Sequence, residues 1–453
     1  MSNKIITKNP FTNKKLREYT LHNENQIESI LDLSENVFAD WRKKSLKDRT
    51  ARLKNLAKVL EENIDTYAKL ITAEMGKPIS QSKAEIEKCI WLCKFYEKNA
   101  ERFLSDAIIE TEAKESFISY DPLGIILAVM PWNYPFWQVL RFAVPTLTAG
   151  NTALLKHASN VTGCALILED LFEKAGYPKG CFQTLLADHE IIENLIGDSR
   201  VKAISLTGSE KAGKSIAETA GKNLKKCVLE LGGNNACVVL ADAELNKYLD
   251  VMVNARMQNT GQSCIAAKRF IVEEPIYEEF LEKFTKKVKA LKEGEPTDKN
   301  SEITVLARPD LAESLKNQIS DSVSKGAKIH YGNHQKDAYY QPTIITNVKP
   351  GMPVFDEETF GPAAAIIKVE NKEEAYEMLS KTRFGLGTML FTKDVEDAKK
   401  RIIDVGDGAF FINEMVKSDP RLPFGGTRAS GYGRELSKDG IMEFVNAKTV
   451  YIN

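Results

Sequence analysis

From Ser116 onward, short apolar runs alternate with segments of helical pattern, and this alternation restricts the fold more than any other feature of the chain. "GIILAVM", "TALLK", "CFQTLLA", "VKAISLT", "CVLEL" and "ACVVLAD" are separated by stretches whose apolar residues recur every three or four positions. Strands that are apolar on both faces, each followed by a helix, read as βαβ units: a parallel sheet covered by helices on both sides. A second series, "KRFIVEE", "AKIHYG", "AAAIIKV", "GTMLFT" and "GAFFIN", runs from about Lys268 to Phe411. The expected fold is therefore α/β, with two doubly wound, Rossmann-like domains, and 453 residues are enough for two or three cores. The first hundred residues are expected to be mostly helical, with Ile27, Ile30, Leu31, Val37 and then Leu53, Leu56, Leu60 and Ile64 at helical spacing. The alternating stretch near 106–120 and the terminal "AKTVYIN" fit neither series and suggest a small separate sheet, or an edge for pairing between subunits.

Composition narrows the function classes. A net charge of −1 gives no electrostatic argument for nucleic acid or an anionic membrane. No apolar run approaches the roughly 20 residues that cross a bilayer, and "MSNKIITKNPFTNKK" lacks a secretory core, so a cytoplasmic protein is expected. The 7 cysteines are too sparse for a disulfide framework, and the 5 histidines show no ligand spacing. Cys89 and Cys93 share a helix face but have no further ligands nearby, and no metal site is expected.

"LTGSEKAGKS", Leu206 to Ser215, matches the phosphate-cradling pattern of an NTPase, and the apolar run ending at Asp242 resembles a magnesium-holding strand. The same glycines could equally place a helix N-terminus against the phosphates of a dinucleotide. Three other residues carry chemical potential. Cys264 in "NTGQSCIAAKRF" lies in a polar turn before an apolar strand. Glu230 ends the strand of "VLELGGNN", where a carboxylate is costly unless solvated or used. Asn133 in "VMPWNYPFW" is an amide donor in a rigid loop between prolines. A thiol, a carboxylate and an amide at strand ends would suit attack on a carbonyl if they converge.

The stretches "PWNYP", "GNTALLKHAS", "LTGSEKAG", "LELGG", "GQSC", "EETFGP", "LPFGG" and "SGYGRE", in that order, resemble the NAD(P)-dependent aldehyde dehydrogenase superfamily over nearly the whole chain. "MPWNYPFWQVLRFAVP", "GQSCIAAKRF" and "MVKSDPRLPFGGT" are most similar to its bacterial succinate semialdehyde dehydrogenase branch. The resemblance implies a cofactor-binding domain over 1–103 and 123–232, a catalytic domain over 233–434, and a bridging, oligomerising segment over 104–122 and 435–453. It implies Cys264 as nucleophile, Glu230 as general base, and Asn133 as oxyanion donor. For the cofactor it implies Trp132, Lys156, Ser159, Gly208, Ser209, Gly213, Glu358 and Phe360. Lys214 then has no phosphate role and Asp242 is an ordinary strand-end acid. Ser159 stands where NAD-preferring members carry glutamate, which implies NADP, with NAD as the alternative. Arg141 and Ser418 would hold the far carboxylate of a short semialdehyde, with a buried structural ion pair as the competing reading of Arg141. Arg269 reads as structural. Expected partners are a small aldehyde and further copies of the chain, as a dimer or tetramer. Glutarate semialdehyde, a broad aliphatic aldehyde and a non-catalytic dinucleotide-binding role are the competing readings.

Overall fold

The structure is a computed structural model, and it describes residues 4–453. Its first large sheet has, in spatial order, Phe182–Thr184, Thr152–His157, Ile125–Met130, Val201–Thr207 and Lys226–Glu230, all parallel, with Gly431–Tyr432 added antiparallel at the edge. The strand that comes first in the chain lies in the middle. The order of build-up reverses between Ile125–Met130 and Val201–Thr207, the place where doubly wound sheets open a crevice for ligands. Ile126, Leu127, Ala128, Leu154, Leu155, Ala203 and Ile204 are fully buried, so each strand is apolar on both faces. The helix Trp137–Thr148 covers one face, and Glu210–Lys222 follows the neighbouring strand.

The second sheet runs Lys328–Tyr331, Thr343–Thr346, Ala363–Val369, Ala267–Glu273, Asn235–Val239, Thr388–Phe391 and Phe410–Ile412. All pairs are parallel except the first, where "AKIHYG" forms an exposed antiparallel edge. Residues 231–234 link the sheets directly. They leave the carboxyl end of Lys226–Glu230 and enter the amino end of Asn235–Val239. The crevice of the first sheet therefore faces the amino ends of the second, just where Cys264 precedes Ala267–Glu273.

The third sheet pairs Val445–Ile452 with Glu115–Pro122 and Ala107–Ile108, all antiparallel. It leaves Ile108, Tyr451 and Ile452 exposed. The amino-terminal region is helical from Glu24–Trp41 through Ile79–Leu104, with the first helix opened by a capping box between Asn23 and Gln26. Ahead of it stands a hairpin, Lys4–Lys8 with Lys15–Thr20, which helical periodicity does not reveal. Among the described residues no helix is long and apolar enough to cross a membrane.

Candidate active site

Asn133 is set by the loop that follows Ile125–Met130, and buried groups brace that loop. Backbone groups hold the His157 ring: Nδ1 lies 3.1 Å from the Met130 carbonyl and 3.0 Å from the Ala158 amide, and Nε2 lies 3.0 Å from the Pro135 carbonyl. Burial holds its pKa down at about 4, so it stays neutral. One Glu85 oxygen accepts from the amides of Phe136 and Trp137 (2.8 and 3.0 Å), capping the helix they begin. The other oxygen is paired with the buried Lys77 ammonium. Asn133 is buried; its Nδ2 donates to the Gln262 carbonyl (3.1 Å), and its own carbonyl accepts from Asn259 Nδ2 (3.0 Å). The proline-bounded loop and the cysteine loop are thus joined.

The cysteine loop is strained. Asn259, Thr260 and Gly261 have φ of 57°, 51° and 74°, and left-handed backbone disfavours a β-branched threonine. A Cβ on Gly261 would lie 2.3 Å from the Gly361 carbonyl oxygen, so only glycine lets the loop dock there. Below the loop, Lys268 Nζ donates to the carbonyls of Ser263 (2.9 Å) and Cys264 (2.5 Å) and to Glu358 Oε1 (3.1 Å). Gly261→Ala is expected to lower Tm and to cut kcat about 100-fold, because roughly 1 Å of displacement at a reacting atom can cost that much. Thermal melts beside steady-state rates check this; native turnover would contradict the docking argument.

Cys264 is half-buried and unpaired. Burial pushes its thiol pKa up to about 11, against the pull of Lys268 and Arg141. Glu230 is buried with Oε1 unpartnered. Burial, then the nearby Glu435 charge, raises its pKa well above the ordinary carboxylate value, which favours the protonated side chain. Glu435 is ion-paired with buried Arg141, whose Nη2 also reaches Thr207 Oγ1 at 3.4 Å. Arg141 lies over the Phe424 ring, 4.7 Å from its centroid.

Two cavities meet at Cys264. The smaller, about 190 Å³, opens at the reversal point of the first sheet, between Trp132, Asn133, Gly208, Ser209, Glu358 and Phe360. Trp132 and Phe360 stand edge to face across it, with centroids 5.7 Å apart. Ser209 caps the helix Glu210–Lys222, accepting from Ala212 N–H. The first-turn amides of that helix and the aromatic walls fit a dinucleotide. The larger cavity, about 540 Å³, includes Lys88, Trp137, Arg141, Ser418 and Phe424. Glu230 stands outside both linings; its strand end leads into Leu231 and Gly232, which line the smaller one.

Gly213, Lys156 and Ser159 do not line the smaller cavity. Gly213 is in the helix, where its missing side chain makes room for Leu231, and its amide is used by the Ser209 carbonyl. Lys156 is half-buried one residue before the end of its strand, and Ser159 is exposed in the next turn. The NTPase reading fails on local geometry. Only Gly208 and Ser209 separate strand from helix, so no long loop exists to wrap a triphosphate. Lys214 is exposed and paired with Glu210 at 2.7 Å. Asp242 accepts from Thr392 Oγ1 and the amides of Lys393 and Asp394, closing a turn. Arg269 caps the carboxyl end of Lys372–Ser380 through the carbonyls of Met378 and Leu379. Lys268, Glu435 and Lys88 are the residues of this region that sequence patterns did not single out. For Lys268 a signal existed, a lone cation entering the apolar strand "AAKRFIV".

Two doubly wound sheets facing each other across such a crevice define an α/β protein of the dinucleotide-binding class. The chain belongs to the aldehyde dehydrogenase family: a model described as "Aldehyde dehydrogenase family" matches residues 1–450. It is 47% identical over 451 residues to a probable succinate-semialdehyde dehydrogenase [NADP(+)] of Synechocystis sp., covering 99% of each chain. It is 43% identical over 454 residues to succinate-semialdehyde dehydrogenase [NADP(+)] 1 of Mycobacterium tuberculosis, again covering 99% of each. The solved succinic semialdehyde dehydrogenase of Streptococcus pyogenes, in complex with NADP+, superimposes with a TM-score of 0.96 at 36% identity over 99% of both chains.

Proposed function

We propose that this protein oxidises succinate semialdehyde to succinate with NADP, through a covalent bond to Cys264. The observation that carries the reading is the position of that sulfur, shared by a cavity suited to a dinucleotide and one walled by cations. The names of the relatives support the substrate and cofactor.

The Cys264 thiolate attacks the aldehyde carbon and forms a thiohemiacetal. The oxygen that gains charge is held by Asn133 Nδ2 and the Cys264 amide. A dinucleotide held between Trp132, Phe360 and the Ser209-capped helix start would supply the acceptor for the hydride lost from this carbon. A thioester to Cys264 remains. Glu230, once deprotonated, takes a proton from water, and the resulting hydroxide equivalent displaces the sulfur as thiolate. Aldehyde, NADP+ and water thus become carboxylate, NADPH and two protons. Water is the natural acceptor because the carboxylate at 230 is retained. The three-stranded sheet, with its exposed apolar edge, is the surface on which copies of the chain would pair.

The test is steady-state oxidation of succinate semialdehyde, glutarate semialdehyde and butanal with each cofactor. NADP is expected to exceed NAD by about tenfold or more in kcat/KM, the scale of one charge-assisted phosphate contact. Ser159→Glu is expected to reverse the order, since a carboxylate repels a 2′-phosphate and pairs with ribose hydroxyls. A higher kcat/KM with NAD in the unaltered protein contradicts this role for Ser159.

A further inference from the structure

The larger cavity is lined by four cations, Lys88, Arg141, Lys417 and Arg421, and they are not equivalent. Arg141 already has a counterion in Glu435. Lys88, on the helix Ile79–Leu104, has none within ion-pair distance among the described residues. Its ammonium donates to Ser418 Oγ at 2.7 Å and lies 4.2 Å from the centre of the Trp137 ring. The acids around it are committed elsewhere. Glu85 is paired with Lys77, and Asp419 grips Arg421 through both oxygens at 2.9 and 2.6 Å. Glu414 pairs with Lys417 at 2.6 Å. The charge left over in this cavity is therefore that of Lys88.

We infer that Lys88 is a specificity-determining residue: with Ser418 Oγ, its ammonium takes the distal carboxylate of the semialdehyde whose carbonyl carbon reaches Cys264. A half-buried cation with no counterion is costly, and a carboxylate brought by the substrate removes that cost. Desolvation and the Arg141 charge pull the Lys88 pKa down to about 8, as expected for an ammonium that lacks a counterion. Trp137 and Phe424 supply apolar wall for the methylenes between the two ends of the substrate. Ser418 can accept from Lys88 while its own hydroxyl hydrogen turns to the carboxylate. The inference rests on the aldehyde-oxidising role proposed above but adds a residue to it, and it assigns Arg141 to the pairing with Glu435 instead of the principal carboxylate contact.

The experiment compares Lys88→Met, Lys88→Gln and Lys88→Arg in the full chain, with Tm measured for each. One readout is the ratio of kcat/KM for succinate semialdehyde to that for butanal. The other is inhibition of butanal oxidation by succinate. A charged hydrogen bond lost to a carboxylate corresponds to about 10- to 100-fold. Lys88→Met and Lys88→Gln are expected to lower the ratio by that factor, through KM, and to raise the succinate inhibition constant in parallel. Lys88→Arg is expected to recover most of both. If either neutral variant keeps a native Tm and leaves both readouts unchanged, the inference is overturned. If the unaltered protein shows no preference for succinate semialdehyde, the substrate proposal fails. The succinate arm still decides on Lys88.

Discussion

Replacing Cys264 with alanine is expected to reduce NADPH production by about 10⁴-fold or more while the fold persists. The size follows from the role. Removing a nucleophile leaves only positioning and oxyanion stabilisation, which do not complete the covalent route. The side chain is half-buried, and its removal takes away one sulfur atom without leaving a buried charge, so Tm is expected to change little. Serine at the same position is expected to be nearly as poor, since an alcohol is a weaker nucleophile than a thiolate and a worse leaving group in the second step. Near-normal rates in either variant would remove the sulfur from the mechanism.

Glu230→Gln is expected to separate the two half-reactions. Acylation needs the thiolate and the oxyanion donors, so one rapid equivalent of NADPH should still form. Hydrolysis needs the base, and turnover is expected to fall by about 10²- to 10⁴-fold, the usual range for a positioned proton acceptor. The pH dependence has a defined sign. Burial and Glu435 raise the Glu230 pKa, so the base form grows as pH increases over a range higher than for an ordinary carboxylate. Steady-state kcat in the unaltered protein is expected to climb through a pKa above the ordinary carboxylate range, and this limb should vanish in Glu230→Gln. The Cys264 thiol, at about 11, gives a separate rise, seen in the rate of the first equivalent. Rapid mixing across pH distinguishes them. A kcat that falls as pH rises from 6 to 8 would contradict the assignment of the base.

The two sheets were legible because their strands are buried on both faces and therefore read as unbroken apolar runs, such as "IILAV". Where a strand is exposed or very short, that signal disappears. Lys4–Lys8 and Lys15–Thr20 are mostly exposed, and Gly431–Tyr432 is too brief to alternate. Lys328–Tyr331 was visible as a strand, but its direction was not, because direction depends on the connection and not on the residues. In the site, Cys264 and Asn133 stand out because each lies in a polar turn beside a strand, and Glu230 because it is a carboxylate at the end of an apolar one. What remained hidden were long-range partnerships. Glu435 looks like one more charge in "GRELSKDG" until it meets Arg141, and Lys88 looks like a solvent-facing helix lysine until its nearby acids are found committed to other cations. The ambiguity over Arg141, clamp or ion pair, was real in the sequence, since both roles place a guanidinium among apolar neighbours.

The central claim is that substrate carbon becomes bonded to one particular sulfur. Intact-mass spectrometry of the Glu230→Gln protein, quenched in acid after mixing with succinate semialdehyde and NADP, tests it directly. The predicted result is a gain of one succinyl group per chain, mapped by peptide digestion to Cys264 and absent when NADP is omitted. An unmodified chain after the rapid equivalent of NADPH has formed, or an acyl group on another residue, would contradict the account.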